Sequence, residues 1–307
     1  VILERFDTYN KTIKSTEVWK MNEMVVVSEE KKGFLSKFQE NGVLKAITAY
    51  VIFEILFLLL KTLLPMIGID FGLNNSGAVV REICVKAIPV VLLSVFFKTS
   101  YVLKNTKNFG RSLLSGLAVI IYTSFSSIVY LVAMVSEGTP MKSVPEILFF
   151  ALFVFLVGFS EELLCRGIMT ETMLRKYGNT KNGIWLSILT SSVSFGLLHL
   201  TNILMGQSVL DTGVQVITAT CVGIFFNAIY VRHRNVYAIA LIHGMIDFVA
   251  MWEQGFFQGT SILKVYEEST TATSVAEAIG MIIMNGLLFL IPAFVIIRKK
   301  KLSEVIQ

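Results

Sequence analysis

The sequence predicts an all-α, polytopic membrane bundle of about eight transmembrane helices. Three observations predict it. Of 307 residues, 54% are hydrophobic and only 16% charged, against about a quarter charged in ordinary soluble domains. Mean hydropathy is +0.69. Apolar runs of about 20 residues recur along the chain, the length that crosses a bilayer as helix.

Taken in order, residues 1–42 read as a polar cytoplasmic segment, with residues 1–33 loosely ordered and Met21 an alternative start. The first 40 residues hold no long apolar stretch of signal-peptide type. The transmembrane domain is expected over 43–298, and residues 299–307 form a basic cytoplasmic tail. The first span covers roughly Val43–Ile67, with Glu54 and Lys61 read as a structural pair or as snorkelling near a helix end. The second is short, Glu82–Phe97, and opens on Arg81, Glu82 and Lys86. The third covers Leu113–Val135. The fourth starts near Pro145, a good first-turn residue. The fifth to eighth cover about Ile184–Met205, Val214–Val231, Val236–Trp252 and Ala278–Ile297.

Lysine and arginine alternate with loop parity. They are dense before the first span, after the second, fourth and sixth, and at the C-terminus, and sparse in the other loops. The positive-inside rule then places both termini in the cytoplasm. The net charge of +5 is explained by these loops. No basic stripe is interleaved with aromatics, so nucleic-acid binding is not expected. Cys84, Cys165 and Cys221 are odd in number and widely spaced, giving neither a disulfide framework nor a zinc knuckle. No internal repeat is visible.

The chemistry concentrates in Phe153–Arg166, FVFLVGFSEELLCR. A charged residue at the centre of a membrane helix costs about 2.5–3.5 kcal/mol. Glu161, Glu162 and Arg166 must therefore pair or do chemistry. Glu162 and Arg166 lie one helical turn apart in the favourable order for an ion pair. That leaves Glu161 as the free carboxylate. Phe195 and His199 have the same spacing in span five, as do His243 and Asp247 in span seven. Asp247 can orient the His243 ring and fix its tautomer. His233, between two arginines, reads as solvated or structural; Asn227 and Asn285 read as interhelical hydrogen-bonding groups. A carboxylate in a water-poor pocket can act as general base, sharing a water with one imidazole. A second imidazole can donate to the oxyanion of a tetrahedral intermediate. Alternatively, Glu161, His199 and His243 could bind zinc and leave a water position open.

Glu161-Glu162-Leu-Leu-Cys-Arg166 resembles the EExxxR motif of the CPBP family of intramembrane proteases. That family includes the type II CAAX prenyl endopeptidases and bacterial bacteriocin-processing or self-immunity (Abi-type) proteins. Phe195-Gly-Leu-Leu-His199 resembles its FxxxH motif, and His243-Gly-Met-Ile-Asp247 its HxxxN/D motif, here with Asp. The three stand in the family's order, and the resemblance covers about Pro145–Trp252, a protease core of about 145–252. It implies an intramembrane endopeptidase of a bacterial cell membrane. Glu161 and His199 would activate water, His243 and Asp247 would form the oxyanion side, and Glu162, Arg166 and Phe195 would support them. No cofactor is expected under the glutamate mechanism; zinc belongs to the competing metalloprotease description. Substrates would be membrane-associated peptides or lipid-anchored proteins within the bilayer. Two other readings stay open: a non-enzymatic immunity or partner-binding protein of the same fold, and an ion-coupled transporter.

Overall fold

In a computed structural model of the chain, residues 41–72, 74–259 and 274–298 are described. The expected N-terminal segment, apart from residues 41 and 42, and the whole expected basic tail lie outside them. The described residues are helical, with no strand beyond one isolated bridge, Met141 to Phe257. Seven helices are long and apolar enough to cross a membrane. The chain is an integral membrane protein with an all-α bundle.

Helix α1 is Gly42–Met66, begun by the Asn41 side chain accepting from the Leu44 amide. Helix α2 joins Asn75–Glu82, a π turn Ile83–Ala87 and Ile88–Phe96. It is the expected second span, but it is not among the seven. Every 18-residue window within it contains Arg81, Glu82 and Lys86, one charge too many for the criterion. A short α3, Phe109–Ser115, precedes α4, Leu117–Ser136. Helix α5 is the spine. It runs unbroken over Val144–Tyr177, 34 residues, with a π segment Leu163–Thr170 directly after the two glutamates. Helix α6, Lys181–Leu198, continues as a 3₁₀ turn, His199–Met205. Helices α7, Val209–His233, α8, Val236–Phe256, and α9, Val275–Ile297, complete the bundle.

Capping side chains answer the free amides at helix starts. Thr180, Ser208 and Asn235 accept from Gly183, Asp211 and Ala238, and Ser274 with Glu277 forms a capping box. Helix α8 packs along α5, α6 along α7, and α7 along α9, while α2 leans on the first half of α5.

Glycines set the closest crossings. A Cβ on Gly158 of α5 would stand 2.6 Å from the Ala240 carbonyl oxygen and 3.1 Å from the Gly244 amide. A Cβ on Gly223 of α7 would stand 3.0 Å from Ser192 of α6. Small residues at these points let backbones approach in the absence of water, where packing rather than the hydrophobic effect drives association.

Buried polar groups finish the core. Asn227 accepts from Thr170 at 2.7 Å and donates to Ser192 at 3.0 Å, tying α5, α6 and α7 as expected of it. Asn285 differs: it donates to Met281 of its own helix at 2.8 Å. It satisfies itself within one turn and links no neighbour. At the basic end, Glu171 accepts from Tyr101 at 2.6 Å, Tyr230 at 2.9 Å and Arg234 at 2.7 Å. Arg234 is thus not a merely solvated loop charge. His233 meets Ser115 at 2.8 Å, in keeping with a structural part.

Candidate active site

The depth of Glu161 follows from the length of α5. From the turn after Tyr177, Glu161 lies sixteen residues back and His199 eighteen residues beyond Lys181. At about 1.5 Å per residue both sit about 25 Å from that turn. The unbroken 34-residue helix brings the two motifs level. Helix α8 then adds His243 through the Gly158–Gly244 crossing, because His243 stands next to the point of closest approach.

One cavity of about 360 Å³ collects the result. Its walls include Glu161, His199, His243 and Asp247, together with Glu82 and Lys86 from α2. Glu54 of α1 also lines it and makes no ion pair with Lys61 among the described residues. Of the two expectations for these residues, the pair does not form, because seven residues span about 10 Å of helix.

Glu162 and Arg166 are fully buried and paired at 3.0 Å, as their spacing predicts. Arg166 also donates to the Gly223 carbonyl of α7 at 2.9 Å. Its guanidinium stacks over Phe195 at 4.7 Å and Phe226 at 5.3 Å. Cation–π contact of this kind is worth about 2 kcal/mol when desolvated. Phe195 meets both imidazoles edge-on, His199 at 5.7 Å and His243 at 5.5 Å. Phe195 thus packs against the guanidinium and both imidazoles.

The group that orients His243 differs from expectation. Glu162 Oε1 lies 2.9 Å from His243 Nδ1. Asp247 Oδ2 lies 3.5 Å from Nε2, beyond hydrogen-bond reach. Glu162 is on the facing helix, and the close α5–α8 crossing carries it to the ring; Asp247 on the next turn of α8 reaches only the other nitrogen. Glu162 therefore links Arg166 to His243 through one oxygen, and its other oxygen is buried with no hydrogen bond.

Glu161 is not free. Lys86 Nζ holds its Oε1 at 3.0 Å. Its Oε2 faces His243 Nε2 at 3.9 Å, too long for a direct bond and close to the span one water bridges. Sequence reading missed Lys86. The available signal was a lysine inside an apolar run, which in a membrane marks a pairing or a function.

Among the described residues no group of three or more His, Cys, Asp or Glu side chains is arranged to hold a metal ion. The Lys86 ammonium also takes the position beside Oε1 that a cation bonded there would use. In this arrangement Glu161, His199 and His243 do not fit the zinc reading. Cys165 is buried, and its carbonyl accepts from Thr170 and Ser191; its thiol does not line the cavity.

Comparison with curated proteins and with solved structures finds no match. Residues 143–249 match the family model described as type II CAAX prenyl endopeptidase Rce1-like, the group that the three motifs resemble.

Proposed function

We propose that the chain hydrolyses peptide bonds of membrane-associated peptides or lipid-anchored proteins, with Glu161 as general base. The observation that carries this reading is the geometry of Glu161: one oxygen anchored by Lys86, the other turned to His243 across the width of a water. A water hydrogen-bonded to Oε2, with His199 on the same cavity wall, is placed to lose a proton as it attacks a carbonyl.

His243 serves the oxyanion. Acceptors face both ring nitrogens, Glu162 at Nδ1 and Glu161 and Asp247 at Nε2. This suits a ring that donates from both nitrogens, and an Nε2–H toward the cavity is what a tetrahedral intermediate needs. Glu162 acts by positioning: held by Arg166, it fixes the ring. The Asp247 carboxylate stands 3.5 Å from Nε2 and adds negative charge there. Protonated Glu161 then returns its proton to the leaving amine. No step uses a metal or a covalent intermediate. The alternating basic loops support cytoplasmic termini.

The test uses purified protein in detergent with a membrane-peptide library read by mass spectrometry. Wild type is compared with Glu161→Ala, His199→Ala and His243→Ala, each with and without chelator. Cleavage by wild type alone, indifferent to chelator, is expected. Loss on chelation with rescue by zinc would move the mechanism to a metalloprotease. Absence of cleavage with all variants folded alike would favour a binding or immunity protein of the same fold.

A further inference from the structure

The second span carries three charges, where the rim helix α4 carries none. Arg81, Glu82 and Lys86 all turn into the cavity that holds Glu161. The helix is wound wider there. The Ile88 amide bonds the Ile83 carbonyl, a π bond, and Pro89 has no amide to give to Val85. Lys86 sits in this turn. Its ammonium has three neighbours: Glu161 Oε1 at 3.0 Å, Glu82 Oε1 at 3.7 Å, and the Phe57 ring at 5.5 Å. Glu82 Oε1 is buried and has no hydrogen bond. One lysine thus serves two carboxylates. It bonds one and leaves the other waiting at slightly greater range.

We propose that Lys86 is a positioning residue for peptide hydrolysis at this site, passing its ammonium from Glu161 to Glu82 as Glu161 takes the proton of the attacking water. The inference rests on the endopeptidase reading above. Before the step, Glu161 is charged and bonded to Lys86. The water O–H bond then breaks, its proton goes to Glu161 Oε2, and its oxygen bonds the substrate carbonyl carbon. Neutral Glu161 now holds an ammonium weakly, whereas Glu82 is still charged. The flexible four-carbon stem lets the ammonium turn to it. Glu161 gives its proton to the amine nitrogen as the C–N bond breaks, and Lys86 returns. One water is consumed, and the ammonium is never left without a counter-charge in a water-poor cavity, where an unpaired charge is most expensive. A lysine suits the task better than an arginine, whose planar fork is bound more rigidly. The arrangement also holds Glu161 so that only Oε2 meets water.

The experiment follows steady-state cleavage of an internally quenched copy of the library peptide that wild type cleaves best, using the full chain in detergent. Lys86→Gln is expected to lower kcat about 10–100-fold with KM within about twofold, the pattern of an interaction made in the transition state. Lys86→Arg keeps the charge but not the mobile stem and is expected to restore only part of the loss, leaving kcat at least about threefold below wild type. Glu82→Gln should lower kcat about fivefold, and the Glu82→Gln/Lys86→Gln pair should be no worse than Lys86→Gln alone, since the two act as one unit. Folded fraction is read in parallel by size exclusion and thermal melting. If Lys86→Gln only reduces the folded fraction and kcat per folded molecule is unchanged, Lys86 is structural and the inference is overturned. Should Lys86→Gln fail to fold, Lys86→Arg and Glu82→Gln decide: no effect of Glu82→Gln on kcat overturns the transfer. Retained kcat in Lys86→Gln beside an inactive Glu161→Gln removes the inference and leaves the endopeptidase. A wild type that cleaves no peptide removes both.

Discussion

The bundle divides into two regions with opposite chemistry. Helices α1, α4 and α9 bury only 17%, 11% and 17% of their most apolar stretch, and their mean hydropathies are 2.3, 2.0 and 2.4. Helices α6 and α7 bury 56% and 61% with hydropathies of 1.5 and 1.8. In a soluble protein the buried helices would be the more apolar ones. Here lipid surrounds the periphery, so polar residues can only be accommodated inside. The interior holds the Glu162–Arg166 pair, Asn227, Ser191 and Ser192; the rim holds Phe125, Ile283 and Leu287. The two more buried of these helices are also the two more polar, and the fully buried charges, Glu162 and Arg166, stand beside Glu161.

Breaking the interior at its chemical centre should have the largest effect. Glu161→Gln keeps the volume and removes the base, so cleavage is expected to fall about 10²–10⁴-fold with unchanged melting. Rates on a quenched peptide beside a melting curve check both. Next in size is Arg166→Met, which leaves Glu162 buried without its cation. It should destabilise the protein by about 3–5 kcal/mol, measured by unfolding in detergent. Glu162→Leu combined with Arg166→Met should recover most of that stability and still be inactive, because His243 loses its Nδ1 partner. Retained activity in the double variant would deny Glu162 its positioning role.

Gly158→Val sharpens the comparison through packing alone. A Cβ there meets the Ala240 carbonyl at 2.6 Å, so α5 and α8 must separate. Overpacking of this kind costs about 1–3 kcal/mol, and the rate should fall with it because His243 rides on the same crossing. At the rim the same measurements should barely respond. Phe125→Ala and Ile283→Ala replace side chains that are 68% and 54% exposed and should change stability by less than about 0.5 kcal/mol. A rim variant that matched Gly158→Val would mean that the rim is covered by protein rather than lipid.

The membrane bundle was legible because apolar runs of bilayer length need no tertiary knowledge. Most motif residues were legible because a charge or imidazole in such a run has few bland explanations. What stayed hidden depended on facing helices. Spacing along one helix pointed to Asp247 as the partner of His243, but Glu162 arrives from α5 across a glycine crossing. Glu161 looked free because nothing on its own helix neutralises it, and Lys86 comes from α2. The second span itself read as a short apolar run. Its charges are explained only by the cavity they face, and the π turn that presents them has no marker beyond Pro89. That Glu161 stands level with His199 was hidden too, since it depends on α5 running unbroken over 34 residues.

The central claim is that Glu161, held by Lys86 and facing His243, activates water without a metal. It is tested most directly by the cleavage rate of exhaustively chelated wild type beside Glu161→Gln on one peptide. The account predicts a full rate for the chelated wild type and a rate about 10²–10⁴-fold lower for Glu161→Gln. A chelated wild type that is inactive and recovers with added zinc would contradict it.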